Sequence, residues 1–120
     1  MELIDVAKNI KKAENSLLCD METEGKGVIG THIISNSDAL NLSSEESDFD
    51  YKPLIDDLSN YYADADKYTY LIYIKDGSVA FAAAASSETS DDCAFFGDNS
   101  DIDPSSCKTL TSIADALRNK

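Results

Sequence analysis

Residues 67–86 read KYTYLIYIKDGSVAFAAAAS, and this stretch decides the fold. Two runs rich in aromatic, β-branched and small residues flank Asp76-Gly77, a dipeptide that supplies the positive φ angles of a tight hairpin turn. In the first run both alternating sets of side chains are largely apolar: Tyr68, Tyr70, Ile72 and Ile74 on one face, Leu71 and Tyr73 on the other. Because such a strand is covered on both sides, the sequence predicts a β-hairpin at the centre of a sheet.

An amphipathic helix is predicted at the N-terminus. Between residues 3 and 21, apolar side chains recur at spacings of three and four, and Gly25 and Gly27 follow. This is the spacing of one helix face. We expect the helix to pack this stripe against the sheet, and any exposed part of the stripe to be an assembly face between subunits. The apolar stripe consists of Leu3, Val6, Ile10, Leu17 and Met21.

The remaining elements are shorter and are separated by polar loops. Pattern and turn residues predict a strand within 27–35, a possible short strand over Ala39–Leu42, a helix over 51–62, a strand over Cys93–Phe96, and a final helix capped by Ser105 or Ser106 that buries Leu110, Ile113, Ala114 and Leu117. The length suits a single domain spanning 1–120. The predicted class is α+β: an N-terminal amphipathic helix packed on a small antiparallel sheet, with a C-terminal helix.

The charge balance excludes some partners. The chain has 23 acidic and 10 basic residues, for a net charge of -13. A surface field of this sign repels nucleic acid and anionic membranes. Abundant Asp and Ser with a single arginine, Arg118, favour an exported protein. No run approaches the roughly 18 apolar residues of a membrane span, so we expect membrane contact only through a segment missing from this sequence.

No motif for catalysis or cofactor binding is present. The only histidine, His32, lies in a strand-like run without an evident catalytic partner. Glycine-rich phosphate loops and nucleophile motifs are absent, and the acidic residues cluster in loops, as solvated surface charge does. We therefore expect a non-enzymatic protein without a cofactor, which functions in assembly or recognition through its acidic loops over 35–50 and 86–106.

The segment 91–108, DDCAFFGDNSDIDPSSCK, is the strongest candidate for a metal site. Asp98, Asp101 and Asp103 are weak calcium candidates, because carboxylates alternate along calcium loops. Ser106, however, stands where such a loop has its turn glycine, and Ser112 where it has a bidentate glutamate. We predict no metal site. The segment itself has no basic partner between its acidic residues, which favours an extended loop.

The same segment contains two of the three cysteines, Cys93 and Cys107. If the protein is exported, a disulfide between them would close the acidic loop and stabilise the fold by roughly 3 kcal/mol. The alternatives are two reduced structural cysteines, or a pairing that involves Cys19. Otherwise we expect Cys19 to be a small buried residue of the first helix.

The stretch ADADKYTYLIYIKDGSVAFAAAASS (63–87), with the late cysteine pair, resembles the globular domain of type IV pilins and of the pseudopilins of type II secretion systems. The resemblance implies a structural subunit of a surface filament or secretion pseudopilus. It implies an extracellular or cell-surface location, homo-oligomeric assembly, and a C-terminal loop closed by Cys93 and Cys107. The hydrophobic N-terminal segment of that family is absent from this sequence.

Two alternatives stay open. By element order, with GVIGTHIIS (27–35) and DALNLSS (38–44) as a first strand pair and CAFFGD (93–98) as the last strand, the chain also resembles roadblock and profilin-like domains. That resemblance implies a cytoplasmic dimer that regulates a small GTPase or a motor, with reduced cysteines. The other alternative is an acidic inhibitor or immunity protein, whose negative surface plugs a basic active site.

Overall fold

The computed structural model describes residues 2–25, 30–37, 40, 52–87, 89–98, 100–103 and 108–118. In chain order the elements are α1 (Leu3–Thr23), β1 (Thr31–Ser35), α2 (Lys52–Asp56), two 3₁₀ segments (Leu58–Asn60 and Ala63–Lys67), β2 (Thr69–Lys75), β3 (Ser78–Ala85), β4 (Ala94–Gly97) and α3 (Leu110–Arg118). The four strands form one antiparallel sheet in the order β1-β2-β3-β4. The predicted α+β class is confirmed.

The predicted hairpin forms the centre of the sheet. Asp76 and Gly77 adopt φ angles of 55° and 86°, the left-handed pair that matches the twist of the flanking strands. β2 and β3 then pair from Lys75 opposite Ser78 to Thr69 opposite Ala85, with a register shift after Tyr73. β1 and β4 pair with the outer edges of this hairpin.

One face of the sheet is covered by α1 and by the helical region 52–67. We call its hydrophobic cluster the α1 core. Because side chains alternate along a strand, β2 contributes Tyr70, Ile72 and Ile74 to this face. The fully buried residues around them include Val6, Ala7, Ile10, Ile34, Leu54, Leu58, Ala65, Ala82 and Ala84.

The opposite face is covered by α3, and we call its cluster the α3 core. The predicted face of the last helix is buried there: Leu110, Ile113, Ala114 and Leu117. β2 contributes Leu71 and Tyr73, and Phe81 stacks between two aromatic rings, 5.4 Å from Tyr73 and 6.3 Å from Phe95 between ring centroids. These spacings are typical of aromatic pairs in protein cores.

Two boundaries differ from the sequence prediction. The helix predicted over 51–62 is instead α2 followed by the first 3₁₀ segment, and the second 3₁₀ segment begins only at Ala63. Asp57, Ser59 and Asn60 are weak helix formers whose side chains compete for backbone groups, while Leu54 and Leu58 are buried. The final helix begins at Leu110 and is capped by Thr109, while Ser105 and Ser106, the predicted caps, lie outside the described residues.

The cap of α3 is a reciprocal pair. The Ser112 backbone N–H donates to Thr109 Oγ1 at 3.0 Å, and the Thr109 N–H donates to Ser112 Oγ at 2.9 Å. This geometry is that of a capping box. The predicted strand over 27–35 is observed from Thr31. Of the possible strand over Ala39–Leu42, only Leu40 lies within the described residues, where it is buried.

Candidate functional site

The apolar stripe predicted as an assembly face lies mostly inside the protein's own core. Val6, Ile10 and Leu17 are buried against the sheet, while Leu3 and Met21 are partly buried at the edge of the same cluster. The predicted packing of the helix on the sheet is therefore observed. A contact between subunits through this stripe stays a prediction, and only Leu3 and Met21 leave surface for it.

The cysteines are placed differently from one another. Cys93 is half-buried beside the α3 core, and Cys107 lies outside the described residues, so the Cys93–Cys107 disulfide stays a prediction. Cys19 is an exposed free thiol. The expectation that Cys19 is buried is wrong. In this turn of α1 the buried residues are Leu17 and Leu18, and the next residue along the helix lies on its exposed side.

The acidic segment 86–103 satisfies carboxylates through its own serines. Asp92 accepts hydrogen bonds from the hydroxyls of Ser86 and Ser90 and from the Ser86 backbone N–H. These donors lower the pKa of Asp92, with the Ser86 hydroxyl the largest cause, since they favour the charged form. Hydrogen bonds to the Asp92 carboxylate thus connect Ser86 and Ser90 with Asp92.

The weak calcium candidates are also engaged within the fold. Asp101 accepts hydrogen bonds from the Tyr73 hydroxyl at 2.9 Å and from Lys75 Nζ at 3.0 Å, so the hairpin supplies the basic partner that the segment lacks. Asp98 accepts the Ser100 backbone N–H at 3.0 Å. Hydrogen bonding by Ser100 lowers the pKa of Asp98. Asp103 is exposed.

Within the described ranges, no group of three His, Cys, Asp or Glu side chains is arranged to hold a metal ion. His32 lies in β1 opposite Ile74 and is buried. None of the described helices has the length and apolarity to cross a membrane. Within the described part of the chain, the predicted site residues therefore form neither a catalytic group nor a metal centre.

The candidate site is a cleft at the C-terminal end of α1, where this helix meets the first 3₁₀ segment. It encloses about 300 Å³. We call it the acidic cleft. Its lining residues are Leu17, Asp20, Met21, Glu24, Asp57, Asn60 and Tyr61. Three of them carry carboxylates, none is basic, and Tyr61 leaves 41% of its surface exposed.

The backbone at this end of α1 reinforces the negative charge. The helix ends at Thr23, Glu24 is its C-cap, and Gly25 follows with a φ of 80°, the left-handed conformation that commonly terminates a helix. The C-terminal end of a helix has a partial negative charge that basic residues usually offset. The last turn of α1 contains no basic residue, so the carboxylates add to this charge.

Asp20 and Tyr61 connect the two walls of the cleft. The Tyr61 hydroxyl donates a hydrogen bond to the Asp20 carboxylate. This bond is the largest cause of a raised pKa for Tyr61, and the negative charges of Asp20, Glu24 and Asp57 also raise it. A single hydroxyl is therefore affected by all three carboxylates of the cleft, which together form one region of negative potential.

Another acidic residue of α1, Glu14, is fully buried beside the α1 core. Neither carboxyl oxygen has a hydrogen-bond partner within the described residues, and the buried Tyr70 hydroxyl also has none. Burial raises the pKa of Glu14 to about 9, because a carboxylate without water is strongly disfavoured. Burial, followed by the charge of Glu14, also raises the pKa of Tyr70.

Neither the acidic cleft nor the burial of Glu14 was predicted from the sequence. For Glu14 a signal existed, since it lies four positions after Ile10 and three before Leu17 on the same helix face. For the cleft the only local signal was the absence of Lys and Arg from the last turn of α1. Asp57 and Tyr61 reach it from an element distant in sequence.

No protein-family model, curated protein or solved structure matches this chain. The resemblances to pilins and to roadblock or profilin-like domains therefore stay hypotheses.

Proposed function

We propose that this protein is a non-enzymatic recognition protein that binds a basic partner protein through the acidic cleft. The observation that carries the proposal is the combination of three carboxylates, an exposed tyrosine ring and no basic lining residue. The aliphatic stem of a lysine or arginine can lie along Leu17 and Met21 while its charge meets the carboxylates.

The charge of the whole chain supports the same class of partner. A net charge of -13 attracts a basic protein over long distances and accelerates its encounter with the cleft. This proposal corresponds to the acidic inhibitor or immunity protein among the alternatives from sequence. It assigns a binding role to Asp20, Glu24 and Asp57 and assigns no catalytic residue.

A second candidate is the pilin-like filament subunit. The long helix α1 packed on an antiparallel sheet, with Cys93 directly before β4, favours it. Oxidation of Cys93 with Cys107 would support this candidate and an extracellular location, and non-reducing mass spectrometry measures it. We rank it second because Val6, Ile10 and Leu17, central to its predicted assembly face, are buried.

The binding proposal is tested with a fluorescently labelled peptide of alternating lysine and glycine. Fluorescence anisotropy gives its dissociation constant for the wild type and for the variant Glu24→Gln/Asp57→Asn. Exposed ion pairs contribute up to about 1 kcal/mol each, so we expect the double variant to bind on the order of tenfold more weakly.

The matched control is Asp91→Asn/Asp115→Asn, because both residues are exposed outside the cleft and the net charge changes equally. We expect its affinity to fall by less than about twofold, the effect of overall charge alone. Equal losses in both double variants would contradict the proposal, since binding would then depend on net charge and not on the cleft.

A further inference from the structure

A second charged surface of α1 lies toward its N-terminal half. Ile4, Lys8 and Lys12 follow one another at spacings of four residues, and therefore line one face of the helix. Ile4 is 47% exposed, and both lysines are exposed. Lys8 Nζ lies 5.9 Å from the centre of the Phe96 ring, which is itself 37% exposed. We call these four residues the basic patch.

The lysines of the basic patch differ from Lys67 and Lys75, which are held in ion pairs. Lys67 is held by Asp64 at 3.1 Å, and Lys75 by Asp101 at 3.0 Å. Within the described residues, no ion pair engages Lys8 or Lys12. Two exposed apolar side chains beside two unpaired ammonium groups form a surface suited to an acidic partner with an apolar centre.

The acidic cleft has the complementary composition. Its lining includes Leu17, Met21 and the exposed Tyr61 beside three carboxylates, and no basic residue. The two surfaces therefore match in both charge and apolar character: an apolar centre with basic residues on one, and an apolar centre with acidic residues on the other.

A single molecule cannot bring these surfaces together. α1 is one continuous helix from Leu3 to Thr23. With a rise of about 1.5 Å per residue, Lys8 and Lys12 lie between about 12 and 24 Å from Asp20 and Glu24 along the axis. The helix also turns them roughly a quarter to almost half a turn apart. Only a second molecule can pair them.

We propose that the acidic cleft of one copy of this chain binds the basic patch of a second copy, in a head-to-tail contact. The inference rests on the proposed function, because it names the partner of the same cleft. Since the two surfaces are different and face different directions, a bound pair of copies leaves one acidic cleft and one basic patch free. Repetition of such a heterologous contact builds a ring or an open linear assembly.

The net charge gives this contact a distinctive salt dependence. At about 0.01 M salt the screening length is about 30 Å, and two copies of charge -13 repel across their whole surfaces. At about 0.15 M it is about 8 Å, so the local pairs dominate, and at about 1 M even these weaken. Association should therefore be strongest at the intermediate salt concentration.

The test uses two charge-reversal variants in sedimentation experiments. Lys8→Glu/Lys12→Glu makes both surfaces acidic, and Glu24→Lys/Asp57→Lys makes both basic. We expect the wild type to show a mass that rises with concentration, each variant alone to stay monomeric, and an equimolar mixture to associate again. Exposed controls elsewhere, Lys67→Glu/Lys108→Glu and Asp91→Lys/Asp115→Lys, change the charge equally and should associate like the wild type.

The outcomes separate the two proposals. A monomeric wild type at every concentration and salt, or a mixture of variants that stays monomeric, overturns the self-association. Binding of the lysine-glycine peptide to Lys8→Glu/Lys12→Glu is measured in parallel, because that variant keeps the cleft. Peptide binding without self-association leaves the proposed function standing with another basic partner, and loss of both overturns both.

Discussion

Two acidic regions of the molecule differ in what surrounds their carboxylates. In the segment 86–103, Asp92 is satisfied by serine hydroxyls and Asp101 by Tyr73 and Lys75. In the acidic cleft, no cation in the described part of the chain pairs with Glu24 or Asp57. A carboxylate that is satisfied within the fold contributes to stability, whereas carboxylates gathered without a cation cost stability and remain available to a partner.

The largest expected effect concerns Glu14, which belongs to neither region and faces Tyr70 on β2. Folding raises the pKa of Glu14 from 4.5 to about 9, because the core accommodates the neutral carboxyl. As far as Glu14 is concerned, the free energy of unfolding is therefore highest below pH 4.5. Above pH 4.5 it falls by about 1.4 kcal/mol per pH unit, or by roughly 6 kcal/mol in total at pH 9. A loss of this size is comparable with the whole stability of a typical domain.

Urea denaturation of Glu14→Gln between pH 5 and 9 tests this prediction. The amide does not titrate, so the steep decline of unfolding free energy should disappear. Glu22→Gln is the matched control, because it is the same change at an exposed site of α1, and it should keep the decline. If the free energy of unfolding of Glu14→Gln declined with pH as steeply as that of the wild type, the decline would not come from Glu14. Its carboxyl would then gain a partner or water on ionisation, which would contradict the prediction.

The next effect concerns Gly97, which lies within the acidic segment 86–103. Gly97 ends β4 with a φ of 123°, and a Cβ added there would lie 2.4 Å from the Ala80 carbonyl oxygen. Gly97→Ala should lower the free energy of unfolding by about 2–4 kcal/mol, from backbone strain and overpacking together. The backbone oxygen cannot move away without disturbing β3.

Gly25→Ala is the control for Gly97, since Gly25 also has a positive φ but no atom within 4 Å of the added Cβ. It should cost only about 1 kcal/mol. Equal losses for the two variants, measured by urea denaturation, would show that the close approach of β4 to β3 is not the cause.

A smaller loss is expected from the contact that fixes the acidic segment to the hairpin. Tyr73→Phe removes the hydroxyl that donates to Asp101, and should cost about 1 kcal/mol. Tyr68→Phe is the control, because the Tyr68 hydroxyl makes no hydrogen bond within the described residues. Thermal unfolding compares the two, and a larger loss in the control would contradict the role of Asp101.

The smallest effect has the opposite sign. Glu24→Gln removes a negative charge from the C-terminal end of α1, where it is unfavourable, and should stabilise the protein by about 0.3–1 kcal/mol. Glu2→Gln, at the N-cap of the same helix, should destabilise it by a similar amount. If neutralising Glu24 destabilised the protein, the cleft would resemble the segment 86–103, and the contrast between the two regions would disappear.

The fold was largely predictable because its signals are local. The alternation in β2, the Asp76-Gly77 turn and the spacing in α1 each specify an element without knowledge of its partners. The proposed binding surface was not predictable in this way. Asp101 is satisfied by Lys75 and Tyr73, more than 25 positions earlier, and Asp57 joins Asp20 only after the 3₁₀ region folds beside α1. Whether a carboxylate lacks a partner within the fold, and can therefore bind another protein, depends on residues that are distant in the sequence.

The most direct test of the central claim is a heteronuclear NMR titration of the wild type with the lysine-glycine peptide. It observes the backbone amides of both acidic regions in one experiment. We expect shifts concentrated in residues 17–24 and 57–61, with residues 86–103 nearly unchanged. Shifts concentrated in 86–103, or spread equally over both acidic regions, would contradict the claim that the cleft at the end of α1 is the recognition surface.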